Sequence, residues 1–149
     1  MRKPTTTRVA LLSSSVVAAA FSNSDAAFAA CSFDISKASM DGNISSVQLL
    51  PEGQFRAKDG RPEEVPFWHL TKAAGQKIIA LIKSRPNKFI FDYEHNTLKA
   101  KKEAVEAPAS GTALDFEWRD GEGLFAKVEW TDKAANYIRN REYHYISPV

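Results

Sequence analysis

Thr112-Ala-Leu-Asp-Phe-Glu-Trp118 and Leu124-Phe-Ala-Lys-Val-Glu-Trp130 both alternate along the chain, and Arg119-Asp-Gly-Glu-Gly123 joins them. A strand turns successive side chains to opposite faces, so this period of two predicts two half-buried strands. The two glycines suit the tight reversal of a hairpin. An antiparallel pair here makes the protein a sheet-based fold, and the flanking sequence is read outward from it.

On the N-terminal side, Lys88-Phe-Ile-Phe-Asp-Tyr93 also alternates and predicts a central strand. Residues 98–109 are rich in Lys, Glu and Ala and contain Pro108, which reads as a mobile loop or a short helix. Further upstream, Thr71 can cap a helix whose Ala74, Ile78, Leu81 and Ile82 share one face and which ends before Arg85-Pro86. Ser46-Val-Gln-Leu-Leu50 and Gln54-Phe-Arg-Ala57 predict two short strands around the turn Pro51-Glu-Gly53. Phe67-Trp-His-Leu70 is either an apolar staple on the core or a recognition edge, the staple being favoured. On the C-terminal side, Thr131-Asp132 caps a short helix carrying Ala134, Ala135 and Ile138, and Glu142-Tyr-His-Tyr-Ile-Ser147 alternates again. The order ββ, α, β, ββ, α, β predicts an α+β domain: a curved antiparallel sheet or a small β-barrel-like core with flanking helices.

The composition sets bounds on function. At 149 residues, with 44% hydrophobic and 26% charged residues, the chain suits one globular core. A net charge of +2 argues against nucleic-acid binding. Cys31 stands alone, which excludes an internal disulfide and a cysteine-rich zinc site. No run reaches the roughly 18 to 20 apolar residues of a membrane-spanning helix, so no membrane partner is expected. Phosphate-loop, dinucleotide and zincin motifs are missing, and no cofactor is expected.

Residues 1–45 form a separate segment in composition. Arg2, Lys3 and Arg8 precede the apolar stretch from Val9 to Phe21, and Ala27-Phe28-Ala29 has the small-x-small pattern of a secretory cleavage site. Two readings stand: a secretory signal, or an Ala/Ser-rich flexible leader with an accidental signal-like pattern.

The histidines are His69, His95 and His144. Asp92-Tyr-Glu-His95 could offer metal ligands, but alternation sends His95 away from Asp92 and Glu94, so no metal site is expected. His95, after an apolar strand and before a polar loop, is either a base for acid/base chemistry or a surface-capping residue. Ser147 is either an ordinary strand-end serine before Pro148 or a nucleophile, which would need an imidazole within about 3 Å to take its proton. Periodicity alone favours the ordinary reading of both. Trp118 and Trp130 are expected to pack on the sheet.

Four blocks carry a family resemblance: Val47-Gln-Leu-Leu-Pro-Glu-Gly-Gln-Phe-Arg56 with Asp59-Gly-Arg-Pro62; Phe91-Asp-Tyr-Glu-His-Asn-Thr97; Glu122 to Thr131; and Tyr143-His-Tyr-Ile-Ser-Pro-Val149. In this order, over about residues 46–149, they closely resemble the I protein of Mu-like phages and prophages. The resemblance implies a capsid-assembly protease with an internal scaffold region, related to tailed-phage prohead proteases and herpesvirus assemblins. It also implies a β-barrel-like core with flanking helices. Carried over by position, His95 becomes the general base and Ser147 the nucleophile of a serine endopeptidase. Implied partners are the scaffold and capsid proteins of a tailed phage, together with other copies of the chain. The implied location is the host cytoplasm, which favours the leader reading of residues 1–45 over secretion. His69 and His144 stay as alternative bases, His144 being weakened because alternation turns it away from Ser147. Relatives continue beyond the last block, so residues 46–149 are expected to be the N-terminal part of a domain truncated at its C-terminus, with little activity by itself. A non-catalytic capsid-assembly or scaffold fragment is the alternative function.

Overall fold

The computed structural model describes residues 7–11, 29–30, 33–36, 38–57, 60–103 and 106–148. Most of the segment read as a leader, including the proposed cleavage motif up to Phe28, lies outside these residues, as does Cys31. The strands are β1 (Thr7–Leu11), β2 (Ala29–Ala30), β3 (Phe33–Asp34), β4 (Met40–Asp41), β5 (Ile44–Pro51), β6 (Gly53–Arg56), β7 (Trp68–Leu70), β8 (Ile90–Tyr93), β9 (Ala109–Arg119), β10 (Gly123–Trp130) and β11 (Tyr143–Pro148). The helices are α1 (Lys72–Lys83), α2 (Asn96–Glu103) and α3 (Asp132–Arg139).

The hairpin that decides the fold is β9–β10, paired antiparallel from Gly123↔Arg119 to Trp130↔Gly111. It runs longer than alternation alone predicts. Two neighbours continue the sheet: β5 pairs with β10 and β8 pairs with β9, both antiparallel. The full order is β3-β11-β1-β8-β9-β10-β5-β4, and a second small sheet runs β2-β6-β7. The α+β class agrees with the sequence reading. Two details correct it. The large sheet is not hydrogen-bonded into a closed barrel among the described residues, although β11 and β3 near one end pack against β5 near the other, so the sheet is strongly curved. Nor is it purely antiparallel, since β1 runs parallel to β11.

The smaller of two buried clusters gathers on Phe55 and Leu70 of the small sheet, and the larger fills the curve. Val47, Leu49, Phe91, Leu124, Ala126, Val128, Trp130 and Ile146 are buried there with Ala134, Ala135 and Ile138 of α3. Thr131 caps α3 by accepting from Ala134 N–H at 3.2 Å, so the Thr-Asp start fixes the helix where its three apolar residues meet the sheet. Trp130 stacks edge-on against Phe91 and donates its indole N–H to Ser45 Oγ at 2.7 Å. Its one polar atom is thereby satisfied inside the core.

Helix α1 begins at the expected cap, with Ala74 N–H donating to Thr71 Oγ1. Its buried stripe differs from the predicted one at a single position. Ala74, Ile78 and Ile82 pack on the core as expected and Ile79 joins them, whereas Leu81 is 44% exposed. The reason is Gly75, whose missing side chain is replaced by the Trp118 ring; a Cβ there would lie 2.2 Å from Trp118 Cζ3. Close approach along Gly75 selects residues 75, 78, 79 and 82 as the contact row and rotates Leu81 outward. The Phe67-Leu70 segment is both core and strand: Phe67 and Leu70 are buried, and β7 pairs with β6.

Candidate active site

Asp92 lies on β8, which enters the site from the sheet with Phe91 and Asp92 both buried. Alternation stops at Tyr93. Glu94 and His95 both adopt left-handed conformations, φ +53° and +55°, and α2 then begins at Asn96. Non-glycine residues rarely take this conformation, and two in succession mark a turn imposed by its surroundings. The turn overrides the expected opposition of His95 to Asp92 and Glu94, because side-chain alternation applies only while the chain is extended. Leu98 N–H donates to His95 O at 3.0 Å, closing the first turn of α2 over the histidine.

The other half of the site comes from the far side of β1. In β11, Ile146 is fully buried and Ser147 is 8% exposed. β1 pairs with both flanking strands: Ala10 aligns with Asp92 of β8 and with Ser147 of β11. The turn after β8 brings the histidine back across this gap. Ser147 Oγ lies 3.3 Å from His95 Nε2.

Of the three histidines, the structure therefore brings His95 to Ser147. His69 sits on β7 in the small sheet, opposite Gln54. His144 precedes Tyr145 on β11, and its carbonyl accepts from Ile35 N–H at 2.8 Å. Among the described residues, no three His, Cys, Asp or Glu side chains converge as a metal cage would require.

Asp92 has a contact that alternation did not reveal. Its Oδ2 accepts from Thr97 N–H at 2.7 Å and also from Thr97 Oγ1. An acid followed five residues later by a threonine at a helix start is the available sequence signal, since Asp and Thr both satisfy open backbone groups in the first turn. Tyr93, which follows Asp92, joins Tyr137 and Tyr143 in an aromatic group with ring centroids 5.1 to 6.3 Å apart. Burial, with the Glu94 charge as the next contribution, pushes the Tyr143 hydroxyl up to about 12. A phenol raised this far stays protonated at neutral pH.

A buried serine hydroxyl this close to an imidazole nitrogen can pass its proton to that nitrogen, the step that turns a serine oxygen into a nucleophile. Residues 47–149 match the N-terminal domain of the Mu-like prophage I protein, and the chain belongs to that family. The Mu-like prophage FluMu I protein of Haemophilus influenzae is 37% identical over 110 residues, covering 68% of this chain and 31% of the relative. Protease I of Escherichia phage Mu is 35% identical over 109 residues, covering 68% of this chain and 30% of the relative. The chain thus spans about a third of the length of these relatives. No solved structure matches it.

Proposed function

We propose that this chain carries the catalytic serine and histidine of a phage capsid-maturation endopeptidase that cuts itself and scaffold protein inside the assembling capsid. The observation that carries the proposal is the 3.3 Å separation of Ser147 Oγ and His95 Nε2. Membership of a family that includes a phage protease supports the reaction class.

In the first step His95 Nε2 takes the Ser147 hydroxyl proton while Oγ attacks the scissile carbonyl carbon. The C–N bond breaks as the imidazolium returns its proton to the departing amine, leaving an acyl ester on Ser147. Water, deprotonated by the same Nε2, then attacks the ester, and Oγ recovers its proton on release of the acid product. The present distance is longer than an ideal O–H···N bond, in keeping with catalytic contacts that tighten when substrate binds. Location in the host cytoplasm, contact with capsid and scaffold proteins, and self-association all follow from this role.

The test is covalent labelling of the purified chain with a fluorophosphonate, which reads activation of the serine rather than peptide turnover and so applies to a chain expected to cleave little by itself. Labelling at Ser147 that is abolished by Ser147→Ala and strongly reduced by His95→Ala is the expected result. A folded protein whose Ser147 stays unlabelled overturns the protease reading and favours a non-catalytic assembly role, to be read from binding to capsid or scaffold protein.

A further inference from the structure

We infer that Asp92 is a positioning residue for His95, acting through Thr97; this rests on the reading of His95 as the base. Asp92 is 1% exposed. Burying a carboxylate is costly unless its oxygens are well satisfied, so a purely space-filling role would be better served by an apolar residue. Here Oδ2 receives two hydrogen bonds from one residue, the backbone N–H and the hydroxyl of Thr97. Together these bonds close a loop whose interior is Tyr93, Glu94, His95 and Asn96. The two left-handed residues, Glu94 and His95, sit in the middle of that loop. Such a conformation persists only when the surrounding structure fixes both ends.

The clamp is tied to the nucleophile as well. Asp92 and Ser147 align with the same β1 residue, Ala10, so the foot of the histidine loop and the serine share one row of the sheet. Fixing Thr97 to Asp92 therefore sets the His95 ring relative to Ser147 rather than merely ordering a surface turn. A small displacement at this point matters because proton transfer requires hydrogen-bond reach.

The experiment uses the full chain with two readouts: the rate of fluorophosphonate labelling at Ser147, and the imidazole nitrogen resonances of His95. Thr97 is only half-buried, so Thr97→Val is expected to fold while removing one arm of the clamp. Labelling should slow roughly tenfold, and the Nε2 resonance should move toward that of an unconstrained histidine. Thr97→Ser restores the hydroxyl and should recover both values. Asp92→Asn weakens both bonds and should slow labelling to a similar degree, with the double variant little worse than either single one. Wild-type labelling and an unmoved resonance in folded Thr97→Val overturn the inference, as does slowed labelling without any change at the His95 ring. If wild-type Ser147 resists labelling altogether, the protease reading fails, and the His95 resonance still decides whether the clamp holds the ring.

Discussion

Asp92 and Ser147 lie in register on opposite sides of Ala10, so β1 is the spacer that fixes the distance between the strands carrying the two halves of the site. Without β1, the ladder from β8 to β11 is interrupted, because among the described residues no direct pairing links those strands. Deleting residues 1–28 is therefore expected to abolish Ser147 labelling while the β9–β10 hairpin and α3 keep their far-ultraviolet signal. Circular dichroism and labelling, measured on one preparation, check this. Labelling at the full-length rate would show that β1 is dispensable for the pair.

Gly75 and Trp118 make a second tight relationship. Alanine in place of glycine normally favours a helix by about 1 kcal/mol. Here its methyl would collide with the indole, 2.2 Å from Cζ3, and the ring is tethered by its N–H donating to Asp120 Oδ1 at 3.0 Å. Overpacking outweighs the propensity gain, and Gly75→Ala should destabilise the protein by about 2 kcal/mol in urea unfolding. Removing the indole with Trp118→Ala should restore tolerance of the Gly75→Ala change. A Gly75→Ala protein that is more stable than wild type would show that α1 does not approach the sheet along this row.

The buried Trp130–Ser45 bond supports a coupled pair. Trp130→Phe leaves a small void and an unpaired hydroxyl, and Ser45→Ala leaves an unpaired indole N–H. Each change is expected to cost about 2 kcal/mol, and the double variant less than the sum, because removing both partners leaves no orphaned polar group. A denaturation cycle over the four proteins measures the difference.

The elements legible in the sequence are those whose signal is local. The β9–β10 hairpin shows in its alternation and glycines, and α3 in the Thr131 cap followed by Ala134, Ala135 and Ile138. The α1 stripe is legible except at one position: Ala74, Ile78 and Ile82 follow from helical spacing, but the choice of Ile79 over Leu81 depends on the Trp118 ring, which approaches from a distant strand. The same limit applies to the site. Alternation identified β8 and β11 as strands but left His95 and Ser147 ambiguous, because their approach depends on β1 lying between them and on a left-handed turn that breaks the period of two. Both are long-range or conformational facts without a local pattern, and only the family resemblance singled out the two residues.

Tyr143 provides a pH signature for the aromatic group it forms with Tyr93 and Tyr137. Its hydroxyl is pushed up to about 12, first by burial and then by the Glu94 charge, from an ordinary value of 10.0. The folded state therefore holds this proton more tightly than the unfolded chain does. Between about pH 10 and 12 the native protein binds more protons than the unfolded one, so stability falls as pH rises through that window and the contribution is fully present below it. Absorbance titration of phenolate should resolve Tyr143 as a late-ionising group, and Tyr143→Phe should remove that step and flatten the loss of stability above pH 10. Because the Glu94 carboxylate contributes to the shift, Glu94→Gln is expected to lower the Tyr143 midpoint without abolishing the elevation. A midpoint unchanged in Glu94→Gln would leave burial and the neighbouring Tyr137, Tyr93 and Glu142 groups as the causes and would place the Glu94 charge away from the ring.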